Sequence, residues 1–209
     1  MFRDSSYNGD ISSWTILDPS LMFVDAKQFD QKWCNPKWNG IFSEQDFKGS
    51  NGMHKCCSSG TFNVPSTKFP FIKCEPCPPG TFTDKLNIDT TCTSCPAGWH
   101  QNETGKQYCL SCDSGQYQNK TGTKLCIDCQ IGQFVSSAKA TSCHKCGTQN
   151  VKHVGGCYQN EVGKTNCTWC KPGKWSNVTG LTHGTNCMNC TIGRYSKSNG
   201  ANTKETCSK

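Results

Sequence analysis

The chain has too little aliphatic sequence for one large core. Hydrophobic residues, cysteine included, make up 33% of its 209 residues. A chain this length with so sparse an apolar set needs covalent or metal reinforcement to stay folded. No apolar run is long enough to span a bilayer. Met1-Phe2-Arg3-Asp4 is polar and lacks the apolar stretch and cleavage site of a secretory leader. Acidic residues are few, 15 in all, and form no calcium loop of the EF type. No G-x-S-x-G, H-E-x-x-H or P-loop pattern occurs. His54, His100, His144, His153 and His183 are scattered, with no acid or nucleophile beside them in sequence. These gaps predict a protein that is not an enzyme, with no cofactor, no metal and no transmembrane segment in this chain.

Cysteine is what the chain has in abundance, 19 residues. That usage fits a disulfide scaffold in an oxidising compartment, or metal sites in a reducing one. Sequons favour the first. Asn102-Glu-Thr, Asn119-Lys-Thr, Asn166-Cys-Thr, Asn177-Val-Thr and Asn189-Cys-Thr all satisfy N-x-[ST]. An extracellular or cell-surface glycoprotein is therefore expected, carrying covalent N-glycans and no cofactor. With no leader visible, the chain reads as a fragment of a longer polypeptide whose initiator is not Met1. The net charge of +7 comes from singly placed lysines such as Lys85, Lys106, Lys120 and Lys124. They form no stripe that would track a nucleic acid, so no nucleic-acid partner is expected.

The cysteines repeat. C-x-x-C doublets stand at Cys74/Cys77, Cys92/Cys95, Cys109/Cys112, Cys126/Cys129 and Cys143/Cys146, at steps of 18, 17, 17 and 17 residues. Cys167/Cys170 and Cys187/Cys190 follow, and Cys207 comes next at the same pitch of 20. The second cysteine of most doublets opens a phrase, C-x-x-G-x-aromatic: Cys77…Gly80-Thr81-Phe82, Cys112…Gly115-Gln116-Tyr117, Cys129…Gly132-Gln133-Phe134, Cys170…Gly173-Lys174-Trp175. In Cys95…Gly98-Trp99-His100 the aromatic sits one place early, and the Cys146 copy lacks the phrase, with Cys157 interrupting the series there. Glycine permits a tight backbone approach beside a disulfide, and the aromatic is expected to cover the S–S bond. Asn102-Glu-Thr-Gly105, Asn119-Lys-Thr-Gly122 and Asn160-Glu-Val-Gly163 are hairpin-turn sequences, each ending four residues before a cysteine. Each module thus reads as strand, turn, strand.

The simplest pairing joins the second cysteine of one doublet to the first of the next. It gives Cys57–Cys74, Cys77–Cys92, Cys95–Cys109, Cys112–Cys126, Cys129–Cys143, Cys170–Cys187 and Cys190–Cys207, with Cys34–Cys56 in front. Cys146, Cys157 and Cys167 are left unassigned, and sequence alone does not fix connectivity. Each bridge around a loop of about 15 residues is expected to stabilise by roughly 3 kcal/mol. Zinc is the rival chemistry, since paired doublets approach a zinc-ribbon spacing. A ribbon uses two doublets and then a linker, whereas these run on at even pitch. A thioredoxin-like role for C-x-x-C needs helical periodicity that is absent.

This spacing and phrase resemble the ephrin-receptor-like cysteine-rich repeat, related to tumour-necrosis-factor-receptor and epidermal-growth-factor modules, over about Cys56 to Cys207. The resemblance implies extracellular stalks and spacers without catalytic residues. Residues 1–33 differ. Met1-Phe2-Arg3-Asp4…Ile11-Ser12-Ser13-Trp14 and Met22-Phe23-Val24-Asp25…Trp33 resemble the BspA-like leucine-rich surface repeat. In that family small strands stack with apolar and aromatic residues inside, here Phe2, Ile11, Trp14, Phe23, Phe29 and Trp33.

The expected fold is therefore small disulfide-rich β repeats, tandem cysteine-stapled hairpins forming an elongated rod whose modules touch only their neighbours. A short leucine-rich-like β solenoid fragment precedes it. The domains are 1–33, a junction loop at 34–55, and modules over 56–209 with an irregular one at about 143–170. The expected role is structural: a protomer of a surface fibre or coat, of the flagellar-hair (mastigoneme) or glycofibril type. It would associate head to tail or with other surface glycoproteins, an unpaired cysteine, Cys157 first among them, linking neighbours. The alternative is an adhesin or receptor ectodomain stalk that binds a protein or glycan ligand.

Overall fold

The computed structural model describes residues 3, 22–26, 32–33, 53–54, 56–64, 73–86, 89–148 and 155–208. Contacts divide the chain into two units, one of residues 1–94 with 103–109, the other of residues 95–102 with 110–209.

In the first unit, strand β1 (Lys32–Trp33) pairs in parallel with β2 (Met53–His54). Met22, Phe23, Val24 and Ala26 form a buried turn, with Phe23 fully enclosed. Among the described residues of 1–33 there is no solenoid turn. Phe2, Ile11, Trp14 and Phe29 lie outside them, as does the side chain of Trp33. Two antiparallel hairpins follow, β3 (Thr61–Val64) with β4 (Lys73–Pro76) and β5 (Thr81–Phe82) with β6 (Thr93–Ser94).

The second unit is a series of five more hairpins. They are β7 (Trp99–His100) with β8 (Leu110–Ser111), β9 (Gln116–Tyr117) with β10 (Ile127–Asp128), and β11 (Gln133–Phe134) with β12 (His144–Lys145). Then come β13 (Cys157–Tyr158) with β14 (Thr168–Trp169) and β15 (Lys174–Trp175) with β16 (Met188–Asn189). A single bridge, Tyr195 to Ser208, closes the last module. A two-residue ladder is marginal alone, so each hairpin depends on its disulfide and its neighbours.

The core is sulfur. Cys57, Cys77, Cys95, Cys112, Cys129, Cys146 and Cys170, the opening cysteines of successive modules, are all fully buried. The aromatics expected to cover them are only half-buried (Phe62, Phe82, Tyr117, Phe134, Trp175), and Tyr195 is exposed. The third residue after the phrase glycine is instead buried in every module from Thr83 onward: Thr83, Gln101, Gln118, Val135, Gln159, Ser176 and Ser196.

Those positions receive the inter-module hydrogen bonds. Within the second unit the phrase glycine donates its N–H to the carbonyl of that residue in the next module: Gly98 to Gln118 (2.7 Å), Gly115 to Val135 (2.8 Å), Gly132 to Gln159 (2.7 Å), Gly173 to Ser196 (2.8 Å). The opening cysteines there then accept from a turn residue beyond. The turn N–H groups of Gly122, Lys139, Gly163 and Gly180 reach the carbonyls of Cys95, Cys112, Cys129 and Cys146 at 2.7–2.9 Å. Gly105 does the same to Cys77 within the first unit.

Modules therefore touch more than their neighbours. A Cβ on Gly115 would overlap the carbonyl oxygen of Gly163, two modules on. The same relation links Gly98 to Lys139 and Gly132 to Gly180. Gly115 and Gly163 both have positive φ, 89° and 69°. Glycine is thus required at Gly115 twice over, by its backbone angle and by the neighbouring chain.

Candidate functional site

The chemically distinct groups are the cysteines, the sequon asparagines and one sulfur cluster. The structure joins Cys57–Cys74, Cys77–Cys92, Cys112–Cys126, Cys129–Cys143, Cys170–Cys187 and Cys190–Cys207. Cys56, Cys95 and Cys109 are also disulfide-bonded. Cys34 lies outside the described residues. Of the three cysteines that spacing left unassigned, Cys146 pairs with Cys167, and Cys157 is a free, buried thiol.

The Cys146 copy also regains its phrase. Gly156 takes the glycine role, with its N–H on Ser176 and its carbonyl receiving Cys170 N–H. The phrase is therefore Gly156-Cys157-Tyr158, displaced from Cys146 by an insertion. The insertion leaves at Gly147 and returns at Gly155, where the Gly155 N–H meets the Gly147 carbonyl at 3.1 Å. Spacing concealed this, because Cys146 and Gly156 are much further apart in sequence than the opening cysteine and glycine of other copies.

Cys157 is 3% exposed, so it presents no surface thiol for linking neighbours as the protein stands. Burial raises its pKa above the ordinary 9.0, and a backbone hydrogen bond with Gly147 acts the other way. Its Sγ lies within 4.8 Å of both sulfurs of the Cys146–Cys167 bridge. His100 approaches the Cys112–Cys126 bridge similarly, its Nδ1 3.1 Å from the Cys126 sulfur. A disulfide sulfur is a poor metal ligand, since thiolate is the binding form. While these bridges are oxidised, each cluster offers a metal one good ligand only.

All five sequon asparagines, Asn102, Asn119, Asn166, Asn177 and Asn189, are exposed. Asn102 and Asn119 immediately follow buried Gln101 and Gln118. The Gln118 side chain closes its hairpin from inside, donating to Leu125 O (2.9 Å) and accepting from Lys120 N (3.1 Å). Gln159 repeats this with Asn166 O (2.7 Å) and Glu161 N (3.0 Å). These buried glutamines fix the turns, and nothing in the cysteine pitch marks them. The signal in the sequence is a glutamine third after the phrase glycine in three copies, Gln101, Gln118 and Gln159.

The lysines stay dispersed. Lys106 pairs with Glu103 (2.8 Å) and Lys164 with Glu161 (2.7 Å), each across a turn glycine. The hydrogen bond and charge of Glu103 raise the Lys106 pKa. Tyr158, Lys171 and Lys174 line an open recess of about 250 Å³. No helix among the described residues is long and apolar enough to cross a membrane.

Residues 85–124 match a family profile described as tyrosine-protein kinase ephrin type A/B receptor-like. The chain carries an ephrin-receptor-like cysteine-rich module. The match takes in the hairpin β7–β8 and the first strand, β9, of the next. A comparison with curated proteins finds no match. The many disulfides and the receptor-like module point to an extracellular or secreted protein.

Proposed function

We propose that this chain is an extracellular spacer, the cysteine-rich stalk of a receptor-like or adhesin ectodomain. The observation that carries it is the backbone ladder between modules. Within the second unit, hairpins are registered on one another by the phrase glycine and the opening cysteine. Such a ladder fixes one module against another without needing a large core, which is what a spacer requires. The exposed asparagines suit glycans that face solvent. No cofactor, nucleic acid or membrane contact has a part in this role. Its ligand-binding function, toward a protein or glycan, would belong to what the stalk presents.

The fibre or coat protomer is a second reading, favoured by exposed apolar side chains within the second unit, Ile127, Ile131, Val162 and Trp169, which another copy would cover.

Sedimentation velocity on the secreted chain separates the two. A monomer across the micromolar range supports the stalk. Head-to-tail polymer sinks it in favour of the fibre.

A further inference from the structure

Cys157 takes the variable position of its phrase, where other copies carry Thr81, Gln116, Gln133 or Lys174. Those side chains are half-buried, and Cys157 is nearly inaccessible. β13 pairs it with Trp169 of β14, the strand that begins just after Cys167. Register thus delivers the thiol to its own module's disulfide. Its sulfur and those of Cys146 and Cys167 all lie within 4.8 Å of one another. Three sulfurs in mutual reach, one of them a thiol and two joined, is the reactant set of thiol–disulfide exchange.

We infer that Cys157 is an internal exchange thiol that converts the Cys146–Cys167 bridge into Cys146–Cys157 and releases Cys167. The Cys157 thiol loses its proton and its sulfur attacks Sγ of Cys146. The new S–S bond forms as the old one breaks, and the departing Cys167 sulfur takes up a proton. One disulfide is lost and one gained, so no external oxidant or reductant is consumed.

The exchange moves the free thiol outward. Cys157 and Cys146 are buried, whereas Cys167 is partly exposed. The product carries a surface thiol that the starting state keeps inside. Cys146 keeps its anchor in both states, because its carbonyl holds Gly180 N–H and its N–H reaches the Gly132 carbonyl. The new ring, from Cys146 to Cys157, is smaller in sequence than the old, and Gly147 and Gly155 inside it are already hydrogen-bonded to one another. A latent thiol of this kind suits covalent capture of a disulfide-bearing neighbour at the cell surface.

The test is a timed incubation of the folded, oxidised chain with iodoacetamide, followed by non-reducing peptide mapping. Label on Cys167 together with a Cys146–Cys157 linked peptide is the expected result. Label on Cys157 with Cys146–Cys167 intact would overturn the inference, as would no label over days. In Cys157→Ser, Cys167 should remain bridged and unlabelled; label there would also overturn it. Cys167→Ser gives an independent check that does not depend on exchange rate. Expressed through an oxidising compartment, it should carry a Cys146–Cys157 bridge, and both cysteines free would refute the alternative pairing.

Discussion

The Lys139 ammonium sits 4.6 Å from the centroid of the Trp99 ring, two modules away along the chain. Lys139 also holds φ at 61°, in a turn position that other modules give to glycine. A cation over an indole is worth about 0.5–1 kcal/mol when exposed, and a side chain in the left-handed region costs roughly 1 kcal/mol. The two nearly cancel. Lys139→Gly should therefore be close to neutral in a thermal melt, while Lys139→Ala, which keeps the strain and drops the cation, should destabilise. Equal melting for the Gly and Ala variants would rule out this account.

Gly115→Ala should be far worse than Gly193→Ala. Both positions have positive φ. Only the first also meets a backbone carbonyl, that of Gly163. The expected cost is more than about 2 kcal/mol for Gly115→Ala against about 1 kcal/mol for Gly193→Ala. Chemical denaturation of the two variants, read by tyrosine and tryptophan fluorescence, makes the comparison.

The free thiol gives the fold an alkaline limit. Burial places the Cys157 pKa above its unfolded value of 9.0. The folded state thus holds this proton more tightly than the unfolded one. The stability it contributes is complete below the unfolded pKa and is lost as pH rises through the folded pKa. As pH rises above 9.0, the wild-type melting temperature should drop by more than that of Cys157→Ser. Parallel pH profiles would show that the thiol titrates alike in both states.

Removing one bridge should loosen one module and its seams. Replacing Cys112 and Cys126 together by serine should cost about 3 kcal/mol on the loop-entropy account, and hydrogen exchange should rise first in β9 and β10. Uniform exchange across the second unit would indicate that its modules unfold as one.

Glycan mapping tests the compartment directly. Peptides containing Asn102, Asn119 and Asn177 should lose mass on treatment with peptide-N-glycosidase. Asn166 and Asn189, with cysteine at the middle sequon position, should show lower occupancy. Unmodified asparagine at all five sites in secreted material would remove the glycoprotein reading.

Cysteine pitch and turn composition make the hairpin repeat legible in the sequence itself, since a doublet every 17 residues leaves little else to build. The turn glycines, Gly105, Gly122 and Gly163, can be read because the left-handed backbone they adopt has so few alternatives. What lies two modules apart cannot. The contact of Gly115 with Gly163 leaves no trace in local composition, because a glycine needed for a turn looks like one needed for packing. Gln118 and Gln159 escape notice because a buried glutamine reads as surface until its partners are known. Cys157 resists for another reason, namely that its phrase is displaced in sequence by the insertion between Gly147 and Gly155. The leucine-rich reading of residues 1–33 rests on side chains outside the described set, apart from the buried turn at residues 22–26.

The second-neighbour seam between Gly115 and Gly163 also constrains how such a chain can change in length. Excising a single hairpin would remove the two seams it makes, break the one that spans it, and bring together phrases and turns that had never faced each other. The splice can heal only where the incoming turn presents a residue tolerant of the left-handed backbone. Lengthening by duplication should then succeed for whole hairpins of the Gly122 or Gly163 kind and stall at ones whose turns lack that tolerance.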